Sequence, residues 1–300
     1  MTITNGSALR FAILALAASA VLAALAAPAP AQVQEGLHLR SAILGRDVAY
    51  AVYLPPDYAA SARRYPVVYL LHGYTDNESG WVQFGEIGPA ADRAIVDRAL
   101  PPMIIVMPDG GVAWYVNDRE NKVRWEDMFV RELIPHIDAT FRTRPDREFR
   151  GIAGLSMGGW GTLVYAFSHP ELFAAAAAFS AAVWTDDEIL AMKQDAWDKV
   201  VGPVFGPGLS GKDRLTPHFR RYSPLELAGT LPEESLKKVR LYIDCGDKDF
   251  LIRGNCALHL LLADRKIPHE FRVRDGSHAW SYWRSGIVDG LAFIGESFHR

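Results

Sequence analysis

Cysteine is scarce in this chain of 300 residues: Cys245 and Cys256 are the only two. There is no CxxC pair, no HExxH helix and no carboxylate-rich loop, so the sequence supports no metal site. Excess positive charge is missing as well. With 32 Lys and Arg against 35 Asp and Glu, the formal net charge is −3, which argues against a nucleic-acid partner. The one basic cluster, residues 142–150, is broken by Asp146 and Glu148 and reads as a solvated loop. No internal repeat is visible, and the composition fits one large domain or two small ones. The two cysteines could close one disulfide in an oxidising compartment or remain two buried thiols, and the sequence leaves both open.

One long apolar run does occur, at the N-terminus. Arg10 precedes an Ala/Leu/Val/Ile stretch from Phe11 to Ala27, and Ala29-Pro30-Ala31 supplies small residues before Gln32. This reads as a cleaved secretory signal peptide over residues 1–31 rather than a membrane anchor, because the run is alanine-rich and ends without basic or aromatic flanks. The expectation is a secreted or periplasmic protein with no stable membrane insertion once the signal is removed. No cysteine stands near the cleavage point, so no lipid attachment is suggested.

From residue 32 onward the pattern alternates. Residues 36–45 and 47–54 predict an antiparallel hairpin at a sheet edge. Short apolar runs at 65–71, 103–107, 150–155, 174–179, 239–245 and 270–273 predict further strands, mostly of the buried parallel kind. Helical spacing falls between them at 90–100, 125–141, 157–168, 252–266 and 281–298. Strands alternating with helices predict an α/β fold around a mostly parallel sheet, with functional loops at the carboxyl ends of the strands. Residues 184–222 break the alternation. They open with a polar helical stretch at 186–200, continue through several Gly-Pro turns, and are expected to form an inserted cap over those loops.

Chemistry concentrates at Gly154-Leu-Ser156-Met-Gly158. An apolar strand breaks at a serine and runs straight into a helix, the pattern of a nucleophile elbow. A serine hydroxyl is a poor nucleophile at neutral pH and needs a histidine base oriented by a carboxylate. In this class the chain order is serine, acid, histidine. His278, between the last strand and the last helix, is the candidate base. His169, His218, His259, His269 and His299 lie at positions that suit structural roles. His72 precedes the serine, and a hydrogen-bonding role suits it. For the acid, Asp244 lies inside a strand, whereas Asp247 and Asp249 both follow it in a turn, and local reasoning leaves those two open. Backbone N–H groups of Met157 and Tyr74 are candidates for an oxyanion hole. Among the loop aromatics, Trp114 and Trp280 are the candidates for substrate contact; Trp81, Tyr115, Trp184, Tyr282 and Trp283 lie near the same loops. Asp109 and Asn117 are placed similarly, with turn roles as the simpler reading.

Taken as a set, Leu70-Leu-His-Gly-Tyr74, Met107-Pro-Asp-Gly-Gly111 with Trp114-Tyr115, Gly154-Leu-Ser-Met-Gly-Gly159, Cys245-Gly-Asp-Lys-Asp-Phe-Leu-Ile252 and Gly276-Ser-His-Ala-Trp280 resemble the esterase D and feruloyl-esterase-like branch of the α/β-hydrolases. That branch also includes mycolyltransferases. The resemblance spans residue 36 to the C-terminus. It implies an α/β-hydrolase fold, Ser156 as nucleophile, Asp249 rather than Asp247 as acid, His278 as base, and Tyr74 and Met157 at the oxyanion. It further implies a cofactor-free serine esterase acting on small-molecule or saccharide esters. An acyltransferase using the same residues, or a binding protein on the same scaffold, is the alternative. The sequence assigns no oligomeric state.

Overall fold

The computed structural model describes residues 32–299; the expected signal peptide lies outside the described residues. Eight strands form one sheet: β1 (Gln32–Arg40), β2 (Asp47–Leu54), β3 (Val67–Leu71), β4 (Ile104–Pro108), β5 (Arg150–Leu155), β6 (Ala175–Phe179), β7 (Arg240–Gly246) and β8 (His269–Arg274). Their order is β1-β2-β4-β3-β5-β6-β7-β8. The β1–β2 hairpin adds antiparallel to β4, and every pairing from β4 through β8 is parallel. The predicted strands all form, and all but the first lie within two residues of their expected limits; the first runs Gln32–Arg40 instead of 36–45, because residues 41–45 make the turn into β2.

Side-chain alternation divides the core. Val67, Tyr69 and Leu71 point into one layer with the helix Met157–Ser168, and Val68 and Leu70 point into the other with the helices Ile87–Val96 and Trp280–Gly295. The central strands are buried on both faces, which is why their sequences read as continuous apolar runs.

The irregular segment differs from expectation in two respects. The stretch 186–200 is not one helix: Asp186–Ala191 stops at Met192 and Lys193, and a second turn begins at Gln194. Two further helices, Pro224–Thr230 and Glu233–Leu236, extend the excursion almost to β7. Arg214, only 2% exposed, holds the segment together by donating to the carbonyls of Leu209, Ile189 and Met192 and to the Gln194 side chain. Two of those carbonyls, Ile189 and Met192, lie at the C-terminal end of Asp186–Ala191, where helical acceptors lack partners within the helix.

Glu126 anchors the segment to the sheet layer. It accepts from Tyr222 Oη at 2.7 Å and meets His169 Nε2 at 2.8 Å. Burial alone would lower the imidazole and raise the carboxyl, but their mutual attraction outweighs it, so His169 sits above its usual 6.5 and Glu126 below its usual 4.5. A raised His169 stabilises the fold fully below 6.5 and loses that contribution as pH climbs through its folded value. A depressed Glu126 contributes above 4.5 and loses it as pH falls through its folded value. The melting-temperature gap between wild type and His169→Gln is therefore widest from pH 4.5 to 6.5, by about 3 °C for each ~1 kcal/mol of pairing. A gap that widens steadily above pH 7 would contradict the pairing.

Candidate active site

Ser156 stands at the end of β5 with φ +53°, a left-handed conformation that a serine adopts only where its surroundings impose it. The glycines on either side explain how. A Cβ on Gly154 would lie 2.5 Å from the Gly158 carbonyl oxygen, and one on Gly158 would lie 2.4 Å from that of Leu71. The strand, the turn and β3 are thus in backbone contact, and the helix Met157–Ser168 starts directly beneath the serine. Ser156 is held further by its N–H donating to Phe179 O at 2.9 Å and its carbonyl accepting from Ala182 N–H at 3.0 Å.

Two loops from neighbouring strands deliver its partners. His278 Nε2 lies 2.9 Å from Ser156 Oγ, and His278 Nδ1 lies 2.8 Å and 3.0 Å from the two Asp249 oxygens. With Nδ1–H donating to a carboxylate, Nε2 is left as an acceptor for the serine proton. Asp249 is 2% exposed and also accepts from Leu251 N–H at 2.9 Å. Burial pushes its carboxyl up, yet the His278 hydrogen bond and the Leu251 N–H prevail and hold it below the usual range.

Asp247 does different work. Its N–H donates to Arg274 O at 3.0 Å, its Oδ1 accepts from Gly276 N–H at 3.0 Å, and Lys248 N–H donates to Gly276 O at 2.9 Å. These bonds fasten the turn after β7 to the loop after β8, so Asp249 and His278 keep their separation. Asp244 is fully buried in a separate network with Arg274, Tyr242 and Tyr282.

Tyr74 lines the same cleft as Ser156, and Met157 follows the serine as the first residue of the helix. A Cβ on Gly73 would stand 2.7 Å from Leu155 Cδ1 and 3.6 Å from Ser156 Cβ, so this loop runs directly over Ser156. Neither the Tyr74 nor the Met157 N–H donates to another backbone group among the described residues. His72 fixes the loop: its Nδ1 donates to Gly73 O at 2.7 Å while its Nε2 accepts from Gly110 N–H at 2.9 Å. Its role is the structural one anticipated. Asp109 and Asn117 likewise serve turns, accepting from Gly111 N–H and Asp127 N–H.

Around Ser156 opens a cleft of about 670 Å³ at the carboxyl ends of the strands. Trp114 and Trp280 both line it, together with Trp184, Trp283, Val200, Phe84 and Phe250. Trp81, Tyr115 and Tyr282 are instead packed into the core. Residues 184–222 reach the cleft through Trp184 and Val200, and the Lys199 and Val200 carbonyls accept from Tyr74 Oη and Trp114 Nε1 at 2.8 Å each. Phe84 and Phe250 were invisible to sequence reasoning, although Phe250 directly follows Asp249 in an exposed turn, where a ring has no core to enter. Cys245 and Cys256 are free thiols; Cys245 is buried, which pushes its thiol up. No cluster of three or more metal-ligating side chains occurs among the described residues.

A serine on a strand-to-helix turn, with a histidine and a carboxylate brought by the next loops of a mostly parallel eight-stranded sheet, defines an α/β-hydrolase fold. The chain belongs to the esterase family described as "Putative esterase", which matches residues 41–294. An esterase of Mycobacterium tuberculosis is 31% identical over 260 residues, covering 80% of this chain and 54% of that protein. The chain thus spans about half the length of that relative. An endo-1,4-beta-xylanase/feruloyl esterase of Xylanibacter ruminicola is 36% identical over 149 residues, 46% of this chain and 20% of that protein. Among solved structures, a ferulic acid esterase superposes with a TM-score of 0.76 at 29% identity, covering 89% of this chain and 98% of that one.

Proposed function

We propose that the protein is a serine carboxylesterase in which Ser156 is the nucleophile, His278 the general base and acid, and Asp249 the group that orients and stabilises the imidazolium. The reading rests on one observation above the others: the unbroken hydrogen-bond chain from Ser156 Oγ through His278 to buried Asp249, at the floor of an open cleft. His278 Nε2 takes the Oγ proton as the oxygen attacks the ester carbonyl. The Tyr74 and Met157 N–H groups receive the oxyanion, a contribution of about 3–4 kcal/mol per donor in comparable sites. The intermediate collapses as His278 hands its proton to the departing alkoxide. Water, deprotonated by the same Nε2, then releases the acid. No cofactor enters the scheme.

The substrate proposed is a small or saccharide ester with an aromatic or apolar acyl group, because the cleft walls are mostly rings and aliphatic side chains. Residues 184–222 act in this reading as a cap that completes the acyl wall. The alanine-rich segment 1–31 supports export to the periplasm or medium.

A shared acyl-enzyme gives the test. Esters of one acid with different alcohols must partition between water and added methanol in the same product ratio, since the alcohol has left before the acceptor arrives. Ratios that vary with the leaving alcohol would contradict a covalent intermediate on Ser156.

A further inference from the structure

The rings of the cleft fall into two groups, and no ring pair joins them among the described residues. On one side Trp114 packs against Tyr74, Trp160 and Trp184 at centroid distances of 6.3, 5.7 and 5.3 Å. On the other, Trp280 packs against Phe84 at 5.7 Å and Trp283 at 5.4 Å, while Trp283 and Phe250 lie 4.8 and 4.6 Å from the His278 ring. Two of these rings stand out by their exposure. Trp114 and Trp283 are 2% and 6% exposed, whereas Phe84 and Phe250 are 51% and 71% exposed and are the only aromatic residues among the exposed large hydrophobics of the described residues. Two such rings on one cleft mark a surface that gains by being covered.

Acyl transfer assigns the sides. The departing alkoxide has to take its proton from His278 Nε2, so the alcohol half of the ester lies against the His278 side of the cleft, and the acyl half lies away from it. We propose that Phe84, Phe250 and Trp280 form the subsite for the alcohol half, and that it takes an uncharged alcohol carrying a ring or comparable apolar face. This deepens the esterase reading and rests on it. Trp280, grouped by sequence reasoning with Trp114 as a substrate contact, is thereby placed on the leaving-group side. Charge narrows the ligand further. Among the described residues no Lys or Arg lines the cleft and Asp76 is the only carboxylate that does, so an anionic alcohol or thiol finds no counter-ion there.

The test compares acetate esters of methanol and cyclohexylmethanol, and of benzyl alcohol and 4-carboxybenzyl alcohol, with wild type and a Phe84→Ala/Phe250→Ala variant. Both rings are exposed, so their removal leaves the core packed. Wild type is expected to favour the cyclohexylmethyl ester over the methyl ester in kcat/KM by about tenfold or more, and benzyl over carboxybenzyl. In the variant the first ratio falls to within about threefold of unity, while the preference among acyl groups on a common methyl ester persists. An alcohol preference that survives in the variant, or a preference for the anionic ester, would overturn the subsite alone. Equal loss of alcohol and acyl selectivity would also overturn it. Absence of turnover with every ester would bring down the esterase reading and the subsite with it.

Discussion

Replacing Ser156 by alanine is expected to lower kcat for an aryl ester by about 10⁴- to 10⁶-fold, with the fold intact. The magnitude follows from what the side chain does. Its Oγ meets one side chain, His278 Nε2, and the position of the turn is set by backbone contacts at Gly154, Gly158 and Phe179. Alanine keeps those contacts and the left-handed φ, so the melting temperature should stay within about 2 °C of wild type. The residual rate would come from the oxyanion donors and binding alone. A variant retaining a tenth of the activity would mean that another group carries the chemistry.

Asp249→Asn carries the second large effect, about 10⁴-fold in kcat. The carboxylate accepts Nδ1–H and thereby leaves Nε2 free to receive the serine proton. An asparagine presenting its amide N–H to Nδ1 stabilises the opposite tautomer, with Nε2 protonated and unable to act as base. Its amide oxygen still serves the Leu251 N–H, so the turn survives. Asp247→Asn is the internal control. It keeps an oxygen for Gly276 N–H, and the fastening between the two loops with it, so kcat is expected to change by less than about threefold. Assays of the two variants side by side separate orientation of the base from general damage to the turn; equal losses would contradict the assignment.

Much of this architecture was legible in the chain. Buried parallel strands announce themselves as uninterrupted apolar runs because both faces are covered, whereas β1 at the sheet edge is largely exposed and β2, inside it, is buried on both faces from Tyr50 onward. The turn at Ser156 was legible because its glycines answer a steric demand that few other sequences meet. Separating Asp249 from Asp247 was not possible from local rules: both follow β7 by a few residues, and only the loop after β8 distinguishes them. One aspartate meets the His278 ring and the other meets the Gly276 backbone.

The segment 184–222 was the least legible. Its first helix, Asp186–Ala191, ends where Arg214 reaches back to carbonyls 22 and 25 residues earlier in the chain, a tertiary contact that periodicity does not record. Phe84 and Phe250 escaped notice for a related reason. An isolated phenylalanine in a polar turn carries no pattern, and its meaning comes from the neighbours the fold supplies, Trp280 in one case and His278 in the other.

The most direct test of the central claim is to treat the purified protein with a fluorophosphonate and locate the adduct by peptide mass spectrometry. The account predicts a single adduct on Ser156, formed at a rate that collapses in Asp249→Asn. An adduct on any other residue, or labelling of Ser156 that proceeds equally fast without Asp249, would contradict it.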